Sequence, residues 1–157
     1  MSVTIKDNKA KLDKIIKDLQ TLEKLEAKIG ILDDAGSTFK GERIVDYATI
    51  QEFGNKDQGG FVPERSFIRS TADENNHWIK ALEQAANQVI DGVETPGLAM
   101  TLVSIRARDD IKKKILDGDS KWAPLRESTI KKKGSSKPLI DKGFLINAIK
   151  YKISLKD

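Results

Sequence analysis

Cysteine is absent from these 157 residues, and histidine occurs once, at His77. Without thiols there are no disulfides and no thiolate metal sites. One imidazole is too few for a multi-histidine zinc site, and a lone His beside Trp78 reads as a surface or boundary residue. Long apolar runs are missing too. No window approaches the ~18 apolar residues that span a bilayer, and the N-terminus MSVTIKDNKAK has no apolar core of signal-peptide length. A soluble chain with no membrane partner is expected, and its lack of cysteine fits assembly in a reducing cytoplasm.

Signatures of catalysis are equally scarce. Gly36-Ser37-Thr38-Phe39-Lys40-Gly41 has glycines and a lysine but not the phosphate-loop spacing, so it reads as a flexible loop. No G-x-S-x-G occurs. Asp33-Asp34, Asp57 and Asp117 with Asp119 are candidate cation ligands, but none has EF-hand spacing. Adjacent acids at a strand end are ordinary turn residues. Only a carboxylate pair or a lone lysine is left to build an enzyme on, and nothing singles one out. The expectation is a chain that is not an enzyme, with no cofactor and no metal.

What is present is charge with a direction. Hydrophobic residues make up 38% of the chain and charged residues 33%, enough for a modest core. The net charge is +4. Residues 1–99 hold 13 Lys+Arg and 17 Asp+Glu; residues 100–157 hold 15 and 7. The first part is therefore acidic and the last third basic. A basic third faces solvent, phosphate or an acidic neighbour. Lys112, Lys113, Lys114, Lys131, Lys132, Lys133 and Lys137 are the candidate DNA-facing residues. No aromatics interleave with them, so any such binding would be non-specific and without base stacking.

Periodicity predicts an α+β chain in one domain of 157 residues: an N-terminal helix in 1–26, a core in 28–118, and a basic segment with a final strand in 119–157. Leu12, Ile15, Ile16, Leu19, Leu22 and Leu25 mark an amphipathic helix over 8–26. Residues 28–32 alternate as a strand, and 43–53 suit a short helix stopped by Gly54. Residues 54–63 read as loop with an apolar tip at Phe61-Val62. A long helix is predicted from Ser66 to Asp91, stopped at Gly92. Thr95 then caps another helix with Pro96 at its first position, closing at Gly118. Glu127 to Lys133 suits a helix ending at Gly134, and Asp141 is placed to cap a short one through Phe144, Leu145 and Ile149. Residues 151–156 alternate at period two, and their natural partner is the strand at 28–32.

Three sets of residues occur in a recognisable order. The first is Ile29-Gly30-Ile31-Leu32 with Tyr47-Ala48 and Glu52-Phe53-Gly54. The second is Val62-Pro63-Glu64-Arg65-Ser66-Phe67-Ile68-Arg69. The third is Trp122-Ala123-Pro124-Leu125, Thr129, Lys133-Gly134 and Leu139-Ile140-Asp141-Lys142-Gly143-Phe144-Leu145. Together they resemble the small tail-completion and head–tail joining (neck) proteins of tailed bacteriophages, over most of residues 28–151. Lys142 stands where a Thr is usual in that pattern, which leaves completion protein, tail terminator and neck adaptor all open.

The resemblance implies a structural virion protein of the tail or neck, made in the host cytoplasm. It implies a ring, commonly a hexamer, that contacts tail-tube, terminator or connector proteins and surrounds transiting DNA. Rings need two different patches that meet, and the acidic and basic parts of the chain are a candidate pair. Glu52, Phe53, Phe61, Arg65, Phe67, Arg69, Trp122 and Pro124 are the candidate interface or structural-motif residues. Among them, Arg65 and Arg69 are expected on one helical face, with a Glu52–Arg65 pair inside the chain or charged pairs between subunits. Phe53 and Phe67 are expected in the core. Trp122 with Pro124 is either a clamp on its own domain or a contact to the next subunit.

Overall fold

A computed structural model describes residues 8–38, 40–55, 61–74 and 77–156. Seven helices and two strands lie among them: α1 (Lys9–Lys24), β1 (Leu25–Ile31), α2 (Ile44–Phe53), α3 (Arg69–Glu74), α4 (His77–Ile90), α5 (Pro96–Asp117), α6 (Glu127–Lys133), α7 (Phe144–Ala148) and β2 (Ile149–Leu155). The two strands pair as a small antiparallel sheet, so the fold is α+β with a long helix, α5. The pairing joins the two segments that the alternation had matched. No described helix is long and apolar enough to cross a membrane.

The chain packs as two compact units that interleave in sequence. One holds residues 8–27, 77–103 and 153–156. Asn8 caps α1 by accepting from the Lys11 backbone N–H at 3.3 Å. Leu19 and Leu22 pack with Val103 on Ala85, Val89 and Ala99, where small side chains let the helices approach. Gly92, at φ 73°, turns the chain out of α4, and Thr95 Oγ1 accepts from Leu98 N at 3.4 Å to cap α5. This core is thin. No residue of α1 is buried, and Leu12 and Ile16 are exposed.

The second unit holds the described residues of 28–76 together with 104–152. Phe67, Ile111, Ile115, Leu145 and Ile149 form its fully buried centre. Each such side chain contributes about 1.5–3 kcal/mol by leaving water. Ala48 of α2 and Ala148 of α7 are buried as well, and their size suits the close packing of those two helices. Residues 36–38 and 41–44 are tied to one another. Ser37 bridges Arg43, and Thr38 N donates to Glu42 O at 2.8 Å. Phe39 of this segment lies outside the described residues.

Two sequence expectations need correction here. Helix over 66–91 is observed at 69–74 and 77–90, with 75 and 76 outside the described residues. It starts later than the periodicity suggests because the N–H groups of residues 67–69 bond to a side chain from another helix. Asp141 does not cap α7; Gly143, at φ 79°, takes the cap position and no side chain bonds there. The turn before it is tight: Ile140 N donates to Pro138 O at 2.7 Å across Leu139, whose φ of 59° is rare for a side chain of that bulk.

Candidate functional site

The second unit is organised around one carboxylate. Glu52 sits in the last turn of α2 and is 5% exposed. Its Oε2 accepts from Phe67 N at 2.7 Å and Ile68 N at 3.0 Å. Its Oε1 accepts from Ser66 Oγ at 2.8 Å, Arg69 N at 3.0 Å and Arg69 Nε at 3.2 Å. These donors include the N–H groups that open α3 and have no partner within the helix. A side chain of α2 thus caps α3. Burial alone pushes the Glu52 carboxyl up. The bonds from Ile68, Arg69, Phe67 and Ser66 outweigh it and hold the group below the ordinary carboxylate range. Five donors on two oxygens leave no lone pair for a substrate proton.

The neighbours of Glu52 complete the lock. Arg69 Nη2 donates to Glu52 O at 3.1 Å and Glu64 Oε1 at 2.7 Å. Its guanidinium lies 4.4 Å from the centre of the Phe53 ring. Phe53 is therefore a platform for Arg69 and is 59% exposed, against the expectation of a core residue; Phe67 is fully buried. Gly54 follows with φ 72°, and a Cβ there would stand 2.9 Å from Glu64 N. Trp122 Nε1 donates to Ser66 O at 3.2 Å. Trp122 is buried within its own unit, while Pro124 is exposed. The structure therefore brings Glu52, Phe53, Phe67, Arg69 and Trp122 together.

Arg65 departs from expectation. It does not bond Glu52, and it precedes α3 instead of sharing a helical face with Arg69. Arg65 is 4% exposed. Nη1 reaches Gln51 Oε1 at 3.4 Å and Nη2 reaches Ala123 O at 3.1 Å. Nε is buried with no hydrogen-bond partner. Burial draws the guanidinium below its ordinary pKa, only partly offset by Tyr47. A buried cation held by neutral oxygens alone is costly.

Arg65 lines a groove of about 730 Å³. Its charged lining is Lys40, Arg65, Arg126, Lys132 and Lys133 against Asp141 alone. Phe61, Val62, Pro63, Pro124 and Leu125 add apolar wall, and Phe61 is 56% exposed. Burial lowers the Lys133 pKa, with Asp141 opposing. The groove was not legible in the sequence as a unit, since its lining comes from four separated segments. Residues 56–60 of the loop before Phe61, including Asp57, lie outside the described residues.

The lysines considered for DNA divide. Lys114 bonds Asp119 at 2.6 Å and Glu74 at 2.7 Å. Burial opposes its charge, but those two carboxylates outweigh it and raise its pKa. Lys113 pairs with Asp117. Lys133 donates to Lys137 O, and Lys137 reaches Leu116 O at 3.4 Å. Lys131 and Lys132 are exposed on α6, and Lys112 is half-buried on α5. No group of three or more acids or imidazoles able to hold a metal occurs among the described residues. His77 stands edge-on to Trp78, with ring centres 6.4 Å apart.

No protein-family model, no curated protein and no solved structure matches this chain.

Proposed function

We propose that this chain is a structural subunit of a ring in the neck or tail of a tailed phage, one that completes the tail or joins it to the head. The observation that carries the reading is the Glu52 lock. The residues by which the sequence resembles tail-completion proteins are Glu52, Phe53 and Gly54, then Phe67 and Arg69, then Trp122. They are distant in sequence, and they converge on one hydrogen-bonded construction.

Two further features suit a subunit that completes its burial by association. The unit built on α1 and α4 leaves Leu12, Ile16, Ile79, Leu82, Val93 and Leu102 exposed, each a large apolar side chain. The other unit holds a groove lined by five cations and one acid, Asp141.

The test is co-expression with a tail-and-neck gene set, followed by electron microscopy of purified particles. The expected result is density for this chain as a closed ring, six-fold by the resemblance, at the head-proximal end of the tail. Particles that form normally and never contain it would overturn the reading. Tight, salt-sensitive binding to bare DNA with no particle association would favour a non-specific nucleic-acid-binding protein instead.

A further inference from the structure

We infer that the Arg65 groove receives the α4–α5 turn of a second copy of this chain, as a head-to-tail contact. The inference rests on the ring reading and supplies its interface. The groove asks for an anionic ligand. Five cationic side chains line it against one acid, and buried Arg65 has no carboxylate partner and an unsatisfied Nε. It also asks for an apolar one, because Phe61, Pro63, Pro124 and Leu125 form exposed or half-exposed wall. A nucleic-acid backbone satisfies the first demand and leaves the second unmet.

The turn at 90–94 meets both. Val93 is 69% exposed, the most of any large apolar side chain among the described residues, and Ile90 is 40% exposed. Asp91 and Glu94 flank Val93, and neither forms an ion pair among the described residues. The turn is held in shape, since Gly92 N donates to Val89 O at 3.1 Å and Val93 N to Gln88 O at 2.9 Å. A preformed knob with two acids and an apolar tip thus faces a concave site with five cations and apolar wall. Two different patches of one chain that fit each other make a heterologous contact, the kind that closes rings. Opposite charges on the two patches speed encounter and fix register.

The natural absence of cysteine makes a clean test. Val93→Cys and Thr129→Cys proteins are purified separately, mixed and mildly oxidised. Thr129 lies exposed at the groove. The expected product is the mixed disulfide, several-fold above either same-variant dimer. Asp91→Lys with Glu94→Lys on the Val93→Cys protein lowers its yield several-fold, as does Arg126→Glu with Lys132→Glu on the other. Combining the two reversed proteins restores it.

Dimers in statistical proportion, or a mixed disulfide indifferent to charge reversal, would overturn the inference. So would a thymidine oligonucleotide that shields the thiol at position 129 from maleimide while no mixed disulfide forms. That result assigns the groove to nucleic acid. Sedimentation velocity on the untrapped protein separates this failure from failure of the ring. Ring-sized species without the trap sink the groove contact alone. The trap without ring-sized species keeps the contact and sinks the ring.

Discussion

Glu52 and Arg65 are both buried and both charged, yet they do different things. Glu52 is saturated by donors, so its charge stabilises the fold. Charge-assisted hydrogen bonds contribute about 1.5–3 kcal/mol each when a partner is removed. Glu52→Gln places an amide N–H₂ among N–H donors and is expected to destabilise by about that amount. Its folded pKa lies below the unfolded carboxyl value, so unfolding takes up a proton in acid. The stabilisation is therefore complete above the unfolded carboxyl range and is lost as pH falls through the folded value. Urea melts from neutral to acid pH should show wild type losing stability steeply and Glu52→Gln losing much less.

Arg65 makes only two bonds to neutral oxygens and leaves Nε unpaired. Replacing it with an unbranched apolar side chain removes the desolvation cost along with those bonds. Arg65→Met is expected to melt within about 1 kcal/mol of wild type, and to trap the position-93 disulfide several-fold less. A large loss of stability would make Arg65 a structural cation and weaken its assignment to binding.

Among the elements, some boundaries were written locally and others were not. Helix α6 was legible from Glu127 to Lys133 because Gly134 stops it in the left-handed conformation. Thr95-Pro96 announced α5 for the same kind of local reason. The start of α3 was not legible. Residues 66–68 carry a helical pattern, but Glu52, fourteen or more residues away, takes their hydroxyl and N–H groups. The Glu52–Arg65 expectation came from their nearness in the motif, and the acid instead takes the Arg69 side chain. Arg65 and Arg69, four residues apart at the expected helix start, were placed on one face, whereas Arg65 lies before α3 and bonds Gln51 and Ala123. Helix α1 gave way to β1 at Leu25, earlier than expected, because Leu25 fits a helical stripe and a strand equally well. Phe53 looked like core because it stood with Ile44 and Ala48 as an apolar residue available to pack on a short helix; its ring instead supports a guanidinium.

The stripe of α1 itself serves two ends. Leu22 packs on the Ala85–Val89–Ala99 cluster, whereas Leu12 is 54% exposed. Leu22→Ala should cost about 2 kcal/mol or more by leaving a cavity. Leu12→Ser should change monomer stability by less than about 0.5 kcal/mol. If the exposed half of α1 packs in an assembly, only the second substitution lowers the assembled fraction without lowering the melting temperature. Parallel thermal melts and sedimentation runs on the two variants read this difference.

At the scale of the whole molecule, charge and apolar surface make separable contributions to association. The proposed head-to-tail contact would set the two acids of the 90–94 turn against the five cations of the groove. The charged part acts over roughly a Debye length, about 10 Å at 0.1 M salt, and is screened beyond it. The apolar part, carried at the proposed contact by Val93 and Ile90 against Phe61 and Leu125, is not screened. Raising ionic strength should therefore slow association of subunits strongly while changing dissociation little, because steering precedes docking and burial follows it. Stopped-flow mixing of labelled subunits across a salt series measures both rates. An association rate indifferent to salt would mean that the charge polarity of this chain plays no part in bringing copies together. The five cations of the groove would then need another anion to explain them.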